Sequence, residues 1–351
     1  MKNIRVVSLF SGCGGGDLGL AGGFNFLGKK YKKLPIKFVW SNDNDAAALE
    51  TYKSNFKHIV VCSDIKAINS NLIPDHDLLI GGFPCQTFSM VGERKGFNDP
   101  RGLLYQEMIR VLKAKRPKVF IGENVKGLVS VSKGGVFRTI LKDFEKAGYK
   151  VYYSILNASD YAVPQKRQRV IIVGVREDIN KTFSFPYPTS ERNVLGDVME
   201  DSELVDRKYY FSKKALAGLA NANKAFNKGR AQNPEAPCNT ISTHLAKVSL
   251  NGTDPVILVK PNVYRRLTPL EAARIQSFPE TFKFVGSDAK KYIQIGNAIP
   301  PVLMWYIGNE ILKQIFDYGR IHSSKKKRNN VENPVEKYAI REDNFSIAQV
   351  Q

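Results

Sequence analysis

Asp77-Leu78-Leu79-Ile80-Gly81-Gly82-Phe83-Pro84-Cys85-Gln86-Thr87-Phe88-Ser89 is the stretch on which the fold turns. Residues 78–80 form a short apolar run closed by glycines, the pattern of a strand buried on both faces. Pro84 fixes its own φ and pushes Phe83 towards extended backbone, so Cys85 follows on a stiff turn. Open α/β sheets place their ligand crevice at such carboxyl strand ends. A nucleophilic cysteine needs a defined direction, partial exposure and a lowered pKa, and this position suits it. The competing reading is that Cys85 is a small buried hydrophobe, as most free cysteines are. The rest of the chain decides between them.

Upstream, Val6-Val7-Ser8-Leu9-Phe10 reads as a buried first strand, followed by the glycine-rich turn Ser11-Gly12-Cys13-Gly14-Gly15-Gly16. Asp17 is placed to cap a helix from Leu18. Gly14, Gly16 and Gly19 satisfy G-x-G-x-x-G, whose physical content is close backbone approach to a ligand at a helix start. The strand Ile36–Trp40 ends in Ser41-Asn42-Asp43, and the strand Ile59–Cys62 ends in Ser63-Asp64-Ile65. Acidic residues at such strand ends commonly hold ribose hydroxyls. Two of them beside a glycine turn suggest a nucleoside-bearing cofactor, although each could equally be a helix cap.

Downstream, Leu104, Met108, Val111 and Leu112 recur at helical spacing and stop before Pro117. Val119-Phe120-Ile121 is another strand, leading into Gly122-Glu123-Asn124-Val125. Val136, Ile140, Phe144 and Ala147 form a second apolar stripe, stopped by Gly148 as the C′ residue. The strands Val151–Leu156 and Val170–Val175 flank Pro164-Gln165-Lys166-Arg167-Gln168-Arg169. This alternation predicts a doubly wound, mostly parallel α/β sheet over residues 1–176.

From Glu177 the periodicity fades, and basic and aromatic residues interleave in Arg207-Lys208-Tyr209-Tyr210-Phe211 and Lys224-Ala225-Phe226-Asn227-Lys228. Residues 177–263 are therefore expected to be a smaller, irregular module or a loop-rich insertion. Regularity returns over 264–321, where Thr268 caps a helix with Pro269 at N1 and Glu271 at N3. Ile295-Gly296-Asn297-Ala298-Ile299-Pro300-Pro301 is expected to open a last helix running to about Phe316. Residues 322–351, with Lys325-Lys326-Lys327-Arg328, read as a basic disordered tail.

The 351 residues carry a formal net charge of +20, with 43% hydrophobic and 25% charged residues. A chain this basic calls for a polyanionic partner, nucleic acid first. Its four cysteines lie far apart with no C-x-x-C pair, which argues for a reduced chain without disulfides or a thiolate metal site. No apolar run reaches membrane-spanning length, and Met1-Lys2-Asn3-Ile4 leads into a strand rather than a signal peptide.

Taken together, the motifs resemble those of the bacterial DNA (cytosine-5-)-methyltransferases, in family order over nearly the whole chain. They are Phe10-Ser11-Gly12-Cys13-Gly14-Gly15, Gly82-Phe83-Pro84-Cys85-Gln86, Glu123-Asn124-Val125 and Gln165-Lys166-Arg167-Gln168-Arg169. Arg266-Leu267-Thr268 through Arg274-Ile275-Gln276-Ser277-Phe278-Pro279 and Gln294-Ile295-Gly296-Asn297 complete the set. The resemblance implies a Rossmann-like S-adenosylmethionine-dependent methyltransferase fold, with 177–263 as target-recognition domain and 264–321 returning to the catalytic domain. It assigns Cys85 as nucleophile, Glu123 as partner of the base's N3, and Arg169 and Arg167 as contacts to its O2 and to phosphate.

For S-adenosyl-L-methionine the resemblance points to Phe10, Gly12, Gly14, Gly15, Asp43, Asp64, Ile65, Pro84, Leu104 and Asn297. For DNA it points to Gln86, Ser89, Gln165, Thr240 and Arg266. Asn44 departs from the pattern, standing where many relatives stack a bulkier residue on the adenine. No metal is implied. The implied setting is a cytoplasmic bacterial monomer acting on double-stranded DNA. A cognate restriction endonuclease would read the same site without forming a stable complex with it.

Three rivals are distinguishable. A nicotinamide-dependent oxidoreductase would explain the glycine turn and Asp43 but not Pro84-Cys85-Gln86 or the charge. An RNA-modifying relative would carry a Cys-Phe-Thr tripeptide, which is absent. A silent DNA-binding homologue would not need Cys85, Glu123 and Arg169 together.

Overall fold

The computed structural model describes residues 3–84, 104–213, 215–216, 231–247 and 254–319. Its centre is a seven-stranded sheet in the order β5-β4-β1-β6-β7-β10-β8. These strands are β1 (Ile4–Leu9), β4 (Ile36–Asp43), β5 (Ile59–Cys62), β6 (Leu78–Gly81), β7 (Val119–Val125), β8 (Tyr149–Asn157) and β10 (Gln168–Arg176). Neighbours from β5 to β7 run parallel, and β10 is antiparallel to both β7 and β8. The doubly wound, mostly parallel sheet expected from the sequence is present.

The period of two along each strand decides which side chains face which layer. Val6, Leu78, Ile80, Val119, Ile121, Ile171 and Val173 face one layer, formed by α1 (Gly15–Ala21) and α7 (Pro301–Ile315). Val7, Leu9, Leu79, Phe120, Val170 and Ile172 face the other, where α3 (Leu104–Lys115) and α4 (Gly135–Lys146) pack. Burying such a side chain is worth about 1.5–3 kcal/mol, so a one-residue slip that turned every face would be very costly. Beside β4 and β5 lies α2 (Ala46–Asn55), capped by Asp45.

Among the described residues three small ribbons complete the strands: β2 (Phe24–Phe26) with β3 (Lys29–Tyr31), β9 (Gln165–Lys166) with β11 (Cys238–Asn239), and β12 (Val256–Lys260) with β13 (Val263–Arg266). Further along the chain lie the helices α5 (Pro269–Ile275) and α6 (Asp288–Asn297). Phe183, Leu195, Val198, Cys238, Ile241 and Ile257 join the same apolar cluster as α7. The described part of 177–263 thus shares the core of the main sheet. No helix among the described residues is long and apolar enough to cross a membrane.

Two local expectations are corrected. The first helix starts at Gly15, with Gly14 at its N-cap in the left-handed region (φ 96°), and Asp17 does not cap it. Asp17 instead points inward, only 2% exposed, accepting hydrogen bonds from Ser8 Oγ at 2.8 Å and from Tyr52 Oη. The second concerns the C-terminal helix: 288–297 and 301–315 are separate helices. Pro300 and Pro301 explain the break, because a residue before proline is disfavoured in helical backbone and Pro301 is at home at N1.

Burial raises the Asp17 carboxyl from 3.8 to about 7, against the opposing pull of the Tyr52 and Ser8 hydroxyls. The folded chain therefore holds this proton more tightly than the unfolded chain. The stability it contributes is full below about pH 4 and is lost as pH rises through about 7. Asp17→Asn cannot ionise. Its stability relative to the native chain should rise by roughly 1.4 kcal/mol per pH unit across that window in urea unfolding. A difference that stays flat with pH would contradict this assignment.

Candidate active site

The carboxyl edge of the sheet collects the residues singled out in the sequence. After β1, Phe10 and Gly12 both adopt φ 54°, bending the chain back over the sheet. Gly12 N donates to Asp43 Oδ2 at 2.8 Å, and Asp45 N donates to Asp43 Oδ1 at 2.9 Å. Asp43 thus ties the glycine turn to the end of β4, and burial pushes its carboxyl pKa up. Asp64 caps the short turn Ile65–Ala67, accepting from Lys66 N at 3.0 Å, while Ile65 is buried. A Cβ built on Gly12 would meet nothing within 4 Å, so the turn borders open space. A carboxylate held against an open glycine turn, with a second at the end of the next strand, suits a nucleoside carrying a positive centre, and the residues fit the methyl donor.

The other half of the site is built by register. β6 and β7 pair in parallel, Gly81 against Gly122, so Glu123 emerges beside the turn that follows β6. Gly82 makes room for it, since a Cβ there would lie 3.3 Å from Glu123 Oε2. Asn124 locks the arrangement, donating from Nδ2 to Phe83 O at 2.8 Å and accepting from Val125 N at 2.8 Å. On β10, Ile171 pairs with Glu123 and Arg169 with Val125, which puts Arg169 diagonal to the carboxylate on the same face. Arg169 Nε lies 3.1 Å from Glu123 Oε1, with both side chains largely buried. Burial raises the Glu123 pKa, and the Arg169 and Arg167 charges oppose that rise.

An open cleft of about 520 Å³ lies alongside, lined by Val125, Lys126, Gly127, Asn157, Lys166, Gln168, Arg169 and Thr240. Lys126, Lys166 and Arg169 give it a positive lining, and Lys126 Nζ donates to Gln168 Oε1 at 2.9 Å. Thr240 is exposed on its rim, with Oγ1 donating to Lys166 O at 2.6 Å.

Most of the described expected residues gather into two clusters. Pro84, Glu123 and Arg169 come together, and Phe10, Gly12 and Asp43 form the second cluster; Gly14 and Gly15 follow at the start of α1. Leu104 opens α3, and Asn297 is exposed as the last residue of α6. Cys85, Gln86 and Ser89 lie outside the described residues. Among the described cysteines, Cys13 and Cys238 are buried, with pKa pushed up to about 12, as befits inert packing thiols.

Arg167, Gln165 and Arg266 are placed differently from the direct contacts expected of them. Arg167 is 2% exposed and donates to the carbonyls of Ile241, Gly296 and Ala298, so its guanidinium does not face the cleft as a phosphate clamp. Gln165 is fully buried against Gln276 and Ile241. Arg266 spends its Nη donors on Ala246 O and Lys208 O. Their long polar side chains gave no local sign of facing inward. Asn124 and Gln276 stand inside recognisable motifs with no sign of their own roles, and Lys126 and Asn157 carry no signal in the sequence.

The profile of the C-5 cytosine-specific DNA methylases matches residues 4–313. The Type II methyltransferase M.NlaX of Neisseria lactamica is 38% identical over 303 residues, covering 84% of this chain and 92% of its own. M.FnuDI of Fusobacterium nucleatum, also a Type II methyltransferase, is 35% identical over 351 residues, covering 91% and 97%. Among solved structures, the S. pombe Dnmt2 methyltransferase superposes with a TM-score of 0.68 at 21% identity, covering 88% of this chain and 98% of that one, a likeness of fold. With the profile spanning most of its length, and relatives this similar end to end, the chain belongs to the C-5 cytosine-specific DNA methylase family.

Proposed function

We propose that the protein methylates carbon 5 of a specific cytosine in duplex DNA, through a temporary bond between Cys85 Sγ and carbon 6 of the base. The observation that carries this reading is the Glu123–Arg169 pair beside the Phe83–Pro84 turn that leads into Cys85. Carbon 5 alone is too weak a nucleophile to accept a methyl group. Thiolate addition at carbon 6 makes the ring an enamine and carbon 5 reactive; after methyl transfer, loss of the carbon 5 proton and elimination of the Cys85 thiolate restore the aromatic ring. Charge then builds towards N3, where Glu123 is aimed to give a proton or a hydrogen bond. Its burial favours the protonated form that such donation needs. Arg169 fixes that carboxyl and offers planar donors to O2.

S-adenosyl-L-methionine supplies a methyl group on a sulfonium, and Phe10, Gly12, Gly14, Gly15, Asp43, Asp64, Ile65, Pro84, Leu104 and Asn297 would hold it. The base must leave its stack to reach Glu123. Lys126 and Lys166 then neutralise phosphates, a contribution without sequence information. Gln86, Ser89 and Thr240 are proposed as direct DNA contacts; Gln165, Arg167 and Arg266 act through the backbone they hold. Residues 177–263 are proposed to read the target sequence. The biological role is protection of host DNA from a cognate restriction endonuclease, by a cytoplasmic monomer.

Bisulfite sequencing of DNA from a host expressing the chain should show one sequence context protected, and unmodified DNA would overturn the reading. Cys85→Ser should abolish turnover and the covalent adduct with 5-fluorocytosine duplexes while DNA binding persists. Glu123→Gln should lower single-turnover rates by roughly 10²–10⁴-fold. In Arg169→Ala the carboxyl stays desolvated without its cation, so the Glu123 pKa should climb further. The alkaline limb of the pH–rate profile should therefore move to higher pH, and a limb that moves down would contradict the assignment.

A further inference from the structure

Arg167 stands at a junction that the reaction itself does not use. Its Nη1 donates to Ile241 O at 3.2 Å, and its Nη2 to Gly296 O at 2.8 Å and Ala298 O at 3.2 Å. The carbonyls of 296 and 298 bracket Asn297, assigned above to the methyl donor. Ile241 follows Thr240, assigned above to DNA. Two carboxamides repeat the same link. Gln276 Nε2 donates to Ile295 O at 3.0 Å and Ala298 O at 2.6 Å. Gln165 Nε2 donates to Gln276 Oε1 at 2.5 Å, while its Oε1 accepts from Ile241 N at 3.1 Å.

The backbones also meet directly. A Cβ on Gly296 would fall 2.6 Å from Ser242 C and Thr243 N, so the segment 241–243 lies flat on the end of α6 with only glycine admitted beneath it. Neither segment can shift without disturbing the same guanidinium. A lysine there would keep the charge but lose the planar fork that reaches three carbonyls at once.

We infer that Arg167 is a positioning residue that makes binding of the methyl donor and binding of DNA mutually reinforcing, by ordering 295–298 and 240–243 as one unit. This rests on the reading given under Proposed function. A ligand that orders one segment meets part of the ordering cost of the other, and the gain is reciprocal.

The test measures affinity for S-adenosylhomocysteine, an unreactive stand-in for the donor, with and without cognate DNA on the full chain. DNA should tighten the native protein's affinity by a factor of roughly 5–150, the usual span of such coupling. Arg167→Lys should bring that factor close to one, even where it also weakens affinity for S-adenosylhomocysteine alone. A folded Arg167→Lys protein with the native factor would overturn the inference. Should that variant fail to fold, hydrogen exchange on the native chain decides: S-adenosylhomocysteine alone must raise protection at 241–243, and unchanged exchange there overturns it. A native chain that neither binds the analogue nor methylates DNA overturns the functional reading and this inference with it. One that does both while coupling survives Arg167→Lys overturns this inference alone.

Discussion

The parallel register between Leu78–Gly81 and Val119–Gly122 is the constraint on which the site depends. It sets where β6 stops against the longer β7, and hence puts Glu123, one residue past the last β6–β7 pair, beside Gly82. From there the Asn124 side chain reaches Phe83 O, and the β10 register brings Arg169 onto the carboxylate. The register is held by apolar alternation on both faces, since Leu78, Ile80, Val119 and Ile121 serve one layer and Leu79 and Phe120 the other. Chemistry at the edge is therefore fixed by packing in the middle. A polar pair on a free loop would have no comparable guarantee of position.

Where the sequence could be read and where it could not follows from how local each signal is. Buried parallel strands show as short apolar runs, so β1, β4, β5, β6 and β7 were legible. The Thr268-Pro269-Leu270-Glu271 box was also legible, and its hydrogen bonds are formed as expected. The hairpin of β2 and β3 was not. Its turn is Leu27-Gly28, with both residues at positive φ, and leucine gives no warning of that conformation. Its pairing rests instead on distant partners: Phe24 stacks on Tyr31, whose ring meets Trp305 of the last helix. Asp17 misled for a related reason, because a capping residue and a buried acceptor look alike until Tyr52 and Ser8 are seen beside it.

Motif resemblance located the site but not the function of each residue in it. Within Gln165-Lys166-Arg167-Gln168-Arg169, alternate side chains go to different environments: Arg169 reaches Glu123, Gln168 and Lys166 line the cleft, and Gln165 and Arg167 turn inward. The strand period makes such a division inevitable. Which set faces inward depends on β11 and α6, some seventy and more than a hundred residues later.

Two buried arginines show how this chain manages charge away from water. Arg265 meets Glu271 in a two-bonded pair, 2.7 Å on each side, with both side chains fully buried. Removing one partner of such a pair typically costs about 3–5 kcal/mol, because the other is left buried and uncompensated. Arg167 has no carboxylate in hydrogen-bond contact among the described residues. Its charge is met by carbonyls, two of them at the carboxyl end of α6 where the helix carries partial negative charge. That compensation exists only while the helix end and the 241 segment are both in place. Apolar burial would hold 177–263 against the sheet in many slightly different poses. A buried cation satisfied by particular carbonyls admits very few, and the two halves of the proposed site are joined through it.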